Sequence, residues 1–356
     1  MNTKSLSSQG HRLPATISFH RSLFHGLILL AVSLFPLFAH DGETNPSANS
    51  WDASRPDSHA PIHVMGDHTH NRGEWMVSYR FMRMDMDGNR AGTDSLTPEQ
   101  VLQNFMVTPL DMTMDMHMLG AMYAPTDQLT LMLMAPFLDM DMAHRTRMGA
   151  QFTTSSSHIG DMSLTGLYKF FDDNRMRAHF NFGVSLPTGS IDHTDATPMA
   201  AVAQLPYPMQ TGSGTYDVTP GITWLGQTDK LSWGVQLKNR IHLGENDRDY
   251  TRGDRLESFI WGALPLGPST SVSLSLDYAD WQDYDGADTA LNPMMVPTAR
   301  TDLRAGSRLD GGIGLNVKLP GGHRLALDFT LPVSQDLDGP QLETDLAATL
   351  GWQKSW

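Results

Sequence analysis

Residues 179–186 read His179-Phe180-Asn181-Phe182-Gly183-Val184-Ser185-Leu186. Successive side chains of an extended chain point to opposite faces, so Phe180, Phe182, Val184 and Leu186 share one side while His179, Asn181, Gly183 and Ser185 share the other. A strand with one apolar and one polar face divides two media. The same period returns in Leu231, Trp233, Val235 and Leu237 against Ser232, Gly234, Gln236 and Lys238. It returns again in Val272, Leu274, Leu276 and Tyr278, and in Leu325, Leu327, Phe329 and Leu331. Further extended segments start near Trp75, Leu110, Leu129, Ile159, Thr215, Leu256 and Leu309.

The connections between these segments are of two kinds. Residues 124–128, 172–175, 226–230, 267–269 and 320–322 carry tight-turn chemistry, as in Pro320-Gly321-Gly322. Longer irregular stretches cover 88–108, 140–157, 190–213, 245–253, 284–300 and 334–342. Short and long connections alternate strictly, which predicts about twelve antiparallel strands with both chain ends on the short-turn side. A soluble sandwich would alternate too, but it explains neither this sorting of turns nor the even count. The expected fold is all-β: a closed antiparallel transmembrane β-barrel of the outer membrane, with short periplasmic turns and long extracellular loops. Trp75, Tyr123, Trp224, Trp261, Trp352 and other aromatics near strand ends are expected in the interfacial girdles. Pro136, Pro187 and Pro220 each remove a ladder donor, so bulges or strand ends are expected there.

The apolar run from Leu23 to Ala39, preceded by Arg12 and Arg21 and broken by Pro36, reads as a signal peptide over residues 1–39. Residues 40–73 are rich in Pro, Ser and Asp without periodicity and read as a flexible periplasmic leader, with the barrel spanning 74–356. Charged residues are 18% and apolar ones 40%, a balance that folds rather than stays disordered. The absence of cysteine excludes disulfides, thiolate metal sites and a cysteine nucleophile. Losing Lys4, Arg12 and Arg21 from the 25 basic residues leaves 22 against 39 acidic ones, net −17, with no basic stripe for nucleic acid. No Gly-x-Ser-x-Gly, His-Glu-x-x-His or phosphate-cradling loop occurs, so no enzyme is expected and no cofactor is assigned.

Methionine is the anomaly: sixteen of 23 lie between Met65 and Met148. Met82, Met84, Met86, Met112, Met114, Met116, Met118, Met140 and Met142 alternate along strands, and the topology brings them to the long-loop rim. Met is foremost a flexible apolar filler. With His117 and His144 among them, and with the leader stretch His63-Val64-Met65-Gly66-Asp67-His68-Thr69-His70, the same residues could instead form a soft-metal site for copper. The other strand faces predict a polar lumen lined by Arg80, Asp161, Lys169, His179, Asn181, Asp217, Lys238, Arg240, His242, Asp277, Asp310, Lys318, Arg324 and Asp328. These charges either pair across the bore or form a transverse field that filters solutes.

The stretches MGDHTHNRGEWMVSYRFMRMDMDGNRAGTDS, NFMVTPLDMTMDMHMLGAMYAPTDQLTLMLMAPFL, LPTGSID and LPYPMQTGSGTYDVTPGITW resemble a Gram-negative family labelled as transporters or as the putative MetA-pathway of phenol degradation. The likeness runs from about Met65 to the C-terminus and implies an outer-membrane β-barrel. It transfers no site residues. It points to a channel or transporter for small molecules, with aromatic or weakly polar solutes as cargo; the alternative is a Met/His-rich protein handling copper. The final alternation of Leu346, Ala348, Leu350, Trp352 and Trp356 resembles the assembly signal of outer-membrane barrels. Expected partners are therefore membrane lipid, a small solute and the insertion machinery.

Overall fold

The computed structural model describes residues 50–356. The expected signal peptide and the first part of the leader lie outside the described residues. Ten strands follow one another as neighbours: β1 Trp75–Gly92, β2 Val107–Tyr123, β3 Leu129–Thr146, β4 Met162–Asp173, β5 Met176–Leu186, β6 Tyr216–Gln227, β7 Ser232–Leu243, β8 Arg255–Pro265, β9 Thr270–Trp281 and β10 Gly306–Leu319. Each pairs antiparallel with the next.

The last extended run, His323–Ser355, covers 33 residues. Its first half pairs with β10 and its second half with β1. Both pairings are antiparallel, and a ring in which every neighbour is antiparallel closes only with an even number of members. The run must therefore double back, and its ends do meet: Ser355 N donates to Gly322 O at 3.0 Å and Trp352 Nε1 to His323 Nδ1 at 3.1 Å. Counted as β11 (323–337) and β12 (341–355) around the Asp338-Gly339-Pro340 bend, the described residues form a barrel of twelve staves. Reciprocal backbone bonds between Trp75 and Trp356, both 3.0 Å, seal the seam.

The outward faces carry the aliphatic and aromatic belt: Phe180, Phe182, Leu274, Leu276, Ile313, Leu327 and Phe329 are all exposed. The inward residues between them are buried, among them His179, Asn181, Ser273, Ser275 and Asp328. Large apolar side chains outside a closed ring of satisfied backbone groups are what a bilayer requires, and the protein is an outer-membrane β-barrel.

Several expectations are corrected. The loops placed at 88–108 and 140–157 are shorter, because β1 runs to Gly92, β3 to Thr146, and Gln151–Ile159 folds back onto β3. The stretch 334–342 is extended almost throughout. Trp261 is not a girdle residue: it is buried inside, its indole over Gly234, where an added Cβ would come within 2.1 Å of the ring. The prolines fall where pairing changes. At Pro136 the partner of β3 switches from β4 to the 151–159 strand, and the β6–β7 ladder lapses across Thr219 and Pro220.

The largest departure concerns the leader. Residues 50–73 are not a free periplasmic tail: Asp57, Ala60, Ile62, Val64, Asp67 and His70 are buried within the barrel. The segment climbs from the short-turn rim to mid-bore and returns to enter β1. Its many lumen partners explain why a stretch without periodicity is ordered: it has no regular ladder of its own, and the staves supply its hydrogen bonds instead.

Candidate functional site

The bore is built from the alternation itself, since every second side chain of every stave must enter it. On the charged side these side chains hold the plug. Arg324 donates to the Ala60 carbonyl at 2.8 Å and to Gln353 Oε1 at 2.7 Å, and Arg80 donates to Ile62 O at 3.0 Å. His63 sits between two carboxylates, with Nδ1 2.7 Å from Asp328 and Nε2 3.0 Å from Asp277. Lower down, Lys318 reaches Ala53 O at 3.3 Å, Ser271 Oγ donates to Pro56 O at 2.8 Å and Ser232 Oγ to Asp57 at 2.8 Å.

The turning point of the plug is Gly66, whose φ of +72° suits glycine. Its carbonyl accepts from His179 Nε2 at 2.9 Å, Gln236 Nε2 at 3.2 Å and Asn181 Nδ2 at 3.5 Å. A buried carbonyl so well satisfied defines the end of the segment. The return limb is tied at His70, whose N–H donates to Thr130 Oγ1 at 2.9 Å.

Of the predicted lumen residues, Arg80, His179, Asn181, Asp277, Lys318, Arg324 and Asp328 thus bind the plug. Others pair along the wall: Lys238 with Glu257 at 3.8 Å, Asp310 with Arg308 at 2.8 Å, His242 with Asp217 at 3.6 Å and Lys169 with Asp172 at 2.8 Å. Asp161 lies just before β4, outside the regular strand, and clamps both ends of the 187–215 loop by accepting from Gly189 N at 2.9 Å and Ser213 N at 2.7 Å. Arg240 has inward parity but is exposed. Neither expected use of these charges accounts for the plug contacts, because the ligand of the charged wall is the chain's own segment.

The methionines occupy the inner face of β1–β3. Registered rows run Met82–Met116–Leu138, Met84–Met114–Met140 and Met86–Met112–Met142. Leu205 and Met209, from the 187–215 loop, pack down onto Met112, Met140 and Met142. Deeper in, Met76, Met118, Met122, Met132 and Met134 pack with Leu167 and with Met65 of the plug. His144 joins this face and stacks on Phe152, with centroids 4.9 Å apart. His117 does not join it. Its odd position in β2 turns it outward, where Tyr79 OH lies 2.7 Å from its Nδ1. The copper expectation therefore loses His117, one of its two strand histidines, to strand geometry.

Above the methionine wall, Tyr207, Tyr250 and Tyr284 from three loops form a ring cluster, with Tyr207 4.8 Å from Tyr250 and 5.4 Å from Tyr284. Arg248 crosslinks two of these loops, 2.6 Å from Asp192 and 3.1 Å from Asp288. Both ends of the bore are therefore occupied. Sequence reasoning missed Gln236, Ser232 and Gln227 as plug-holding residues; their polar parity was legible, but their partner was not.

Residues 91–296, more than half of the chain, match the family model described as "Putative MetA-pathway of phenol degradation". No curated protein matches the chain. Among solved structures, the COG4313 outer membrane channel from Pseudomonas putida F1 is similar with a TM-score of 0.58 at 13% identity, covering 82% of this chain and 99% of that one. The β domain of the Bordetella autotransporter BrkA gives a TM-score of 0.42 at 9% identity, over 80% of this chain and 100% of that domain. At these identities the likeness to the channel concerns the fold.

Proposed function

This chain belongs to the family described as putative MetA-pathway of phenol degradation, and from that premise we propose that it is an outer-membrane channel for small molecules whose preferred cargo is weakly polar and aromatic. The observation that carries the reading is the unlike character of the two bore walls. One wall is thioether, the other is hydrogen-bonding and charged. Methionine is deformable and polarisable, and its sulfur attracts aromatic ring edges by about 0.3–1.5 kcal/mol each. A solute with a ring and a hydroxyl could slide on the first wall and turn its polar atom to the second. The plug and the tyrosine-lined loops hold the conduit shut, so passage requires them to yield.

Release of phenol from proteoliposomes, against a neutral sugar of similar mass, tests this. Phenol release above that of protein-free vesicles is expected, and faster release from a variant lacking residues 51–66. Equal rates for phenol and sugar in both proteins would remove the selectivity claim, and no protein-dependent permeation of either would remove the channel.

A further inference from the structure

The two limbs of the plug bring together side chains that the plug contacts do not use. His59, Asp67 and His68 each offer one ligand atom, and those atoms all lie within 4.8 Å of one another. The rings of His59 and His68 meet edge to face at 4.6 Å, and His70 follows at 5.0 Å from His68. Three imidazole nitrogens here, His59 Nδ1, His68 Nε2 and His70 Nε2, are shut off from solvent and have no hydrogen-bond partner among the described residues. Leaving one such nitrogen unpaired costs about 1–3 kcal/mol. Three in one cluster need an explanation.

We propose that His59, Asp67 and His68, with His70 beside them, form a binding site for a borderline divalent transition metal of the zinc class. Imidazole and carboxylate are the donors such ions select, and the donor set is the wrong one for calcium or magnesium. Asp67 accepts from the Ala60 N–H at 3.0 Å and lies 2.7 Å from His68 Nδ1, which orients the His68 ring and leaves Nε2 free. Arg324 opposes a cation; Asp67 and, beyond His70, Glu74 offset it. A cavity of about 350 Å³ at the short-turn rim, lined by His59, His68, His70, Glu74, Trp51 and Trp356, supplies an entry path. Bound there, the ion would clasp the two limbs of the plug where they leave the bore.

The test is zinc titration of the refolded full barrel in detergent by calorimetry. One equivalent is expected, with affinity at least about tenfold weaker in His59→Gln and His68→Gln and unchanged in His117→Gln and His158→Gln, whose rings lie elsewhere. Diethylpyrocarbonate footprinting of the unmutated protein serves if a variant fails to fold: zinc should protect His59 and His68 and leave His158 reactive. No zinc binding, or binding indifferent to His59 and His68 in both measurements, overturns the assignment.

Discussion

His63 places an imidazole between Asp277 of β9 and Asp328 of β11, two carboxylates that are themselves buried. Burial alone would push the ring down, but hydrogen bonds and charge from Asp277 and Asp328 carry it up to about 10. The folded value stands above the unfolded one of 6.5, so the stabilisation is complete below about 6.5 and is lost as pH rises through about 10. Limited proteolysis within residues 50–73 should therefore be slowest at or below about pH 6.5, quicken progressively toward pH 10 and level off above it; a flat profile would refute the charge assignment. His63→Ala leaves two buried carboxylates without their cation. A loss of about 3–5 kcal/mol in plug retention is expected, read as urea-dependent cleavage of the same segment.

At the scale of the element, β1–β3 record the edge of the bilayer. Outward residues run apolar up to the row Phe81–His117–Phe137 and turn charged at the next, Arg83–Asp115–Asp139. The three methionine rows lie on the inner face around and above that boundary, so most of the wall belongs to the part of the barrel that projects from the membrane. Leu133→Arg, on the lipid face well below the boundary, should cost about 2–4 kcal/mol, whereas Asp139→Arg should cost about 0–1. Equal unfolding midpoints in lipid vesicles would show the boundary to be misplaced. Inward parity of the methionines was legible in the alternation, and so was the outward placement of His117, had its position been counted along with Met116 and Met118. The internal burial of Trp261 was not legible, because it depends on Gly234 beneath it and on Ala60 and Val64 above it.

The whole molecule is a ring whose seam joins β1 to β12, with Trp75 and Trp356 at its lower end. Deleting 353–356 removes those final rungs and the Gln353 partner of Arg324. A truncated chain should lose the heat-modifiable folded band on unboiled gels; retention of that band would mean the seam closes without them. The plug ties into the same ring, and its partners come from β3, β5, β7, β9 and β11 as well as β1. A segment tied to opposite walls resists withdrawal as a unit, so single-contact variants should open the channel less than removal of residues 51–66 does.

The period of two, the sorting of turns and the alternating C-terminal strand were enough to specify a closed barrel of about twelve strands and the inward or outward parity of most of its residues, because those properties depend on neighbours one or two residues apart. What fills the barrel depends largely on contacts between residues far apart in the chain, 265 positions for His63 with Asp328 and 113 for Gly66 with His179. A polar stretch without periodicity carries no local mark of such partners. Only closure of the ring, which brings opposite walls within hydrogen-bonding reach of one segment, decided that the leader from residue 50 is a plug and set His59, Asp67 and His68 side by side.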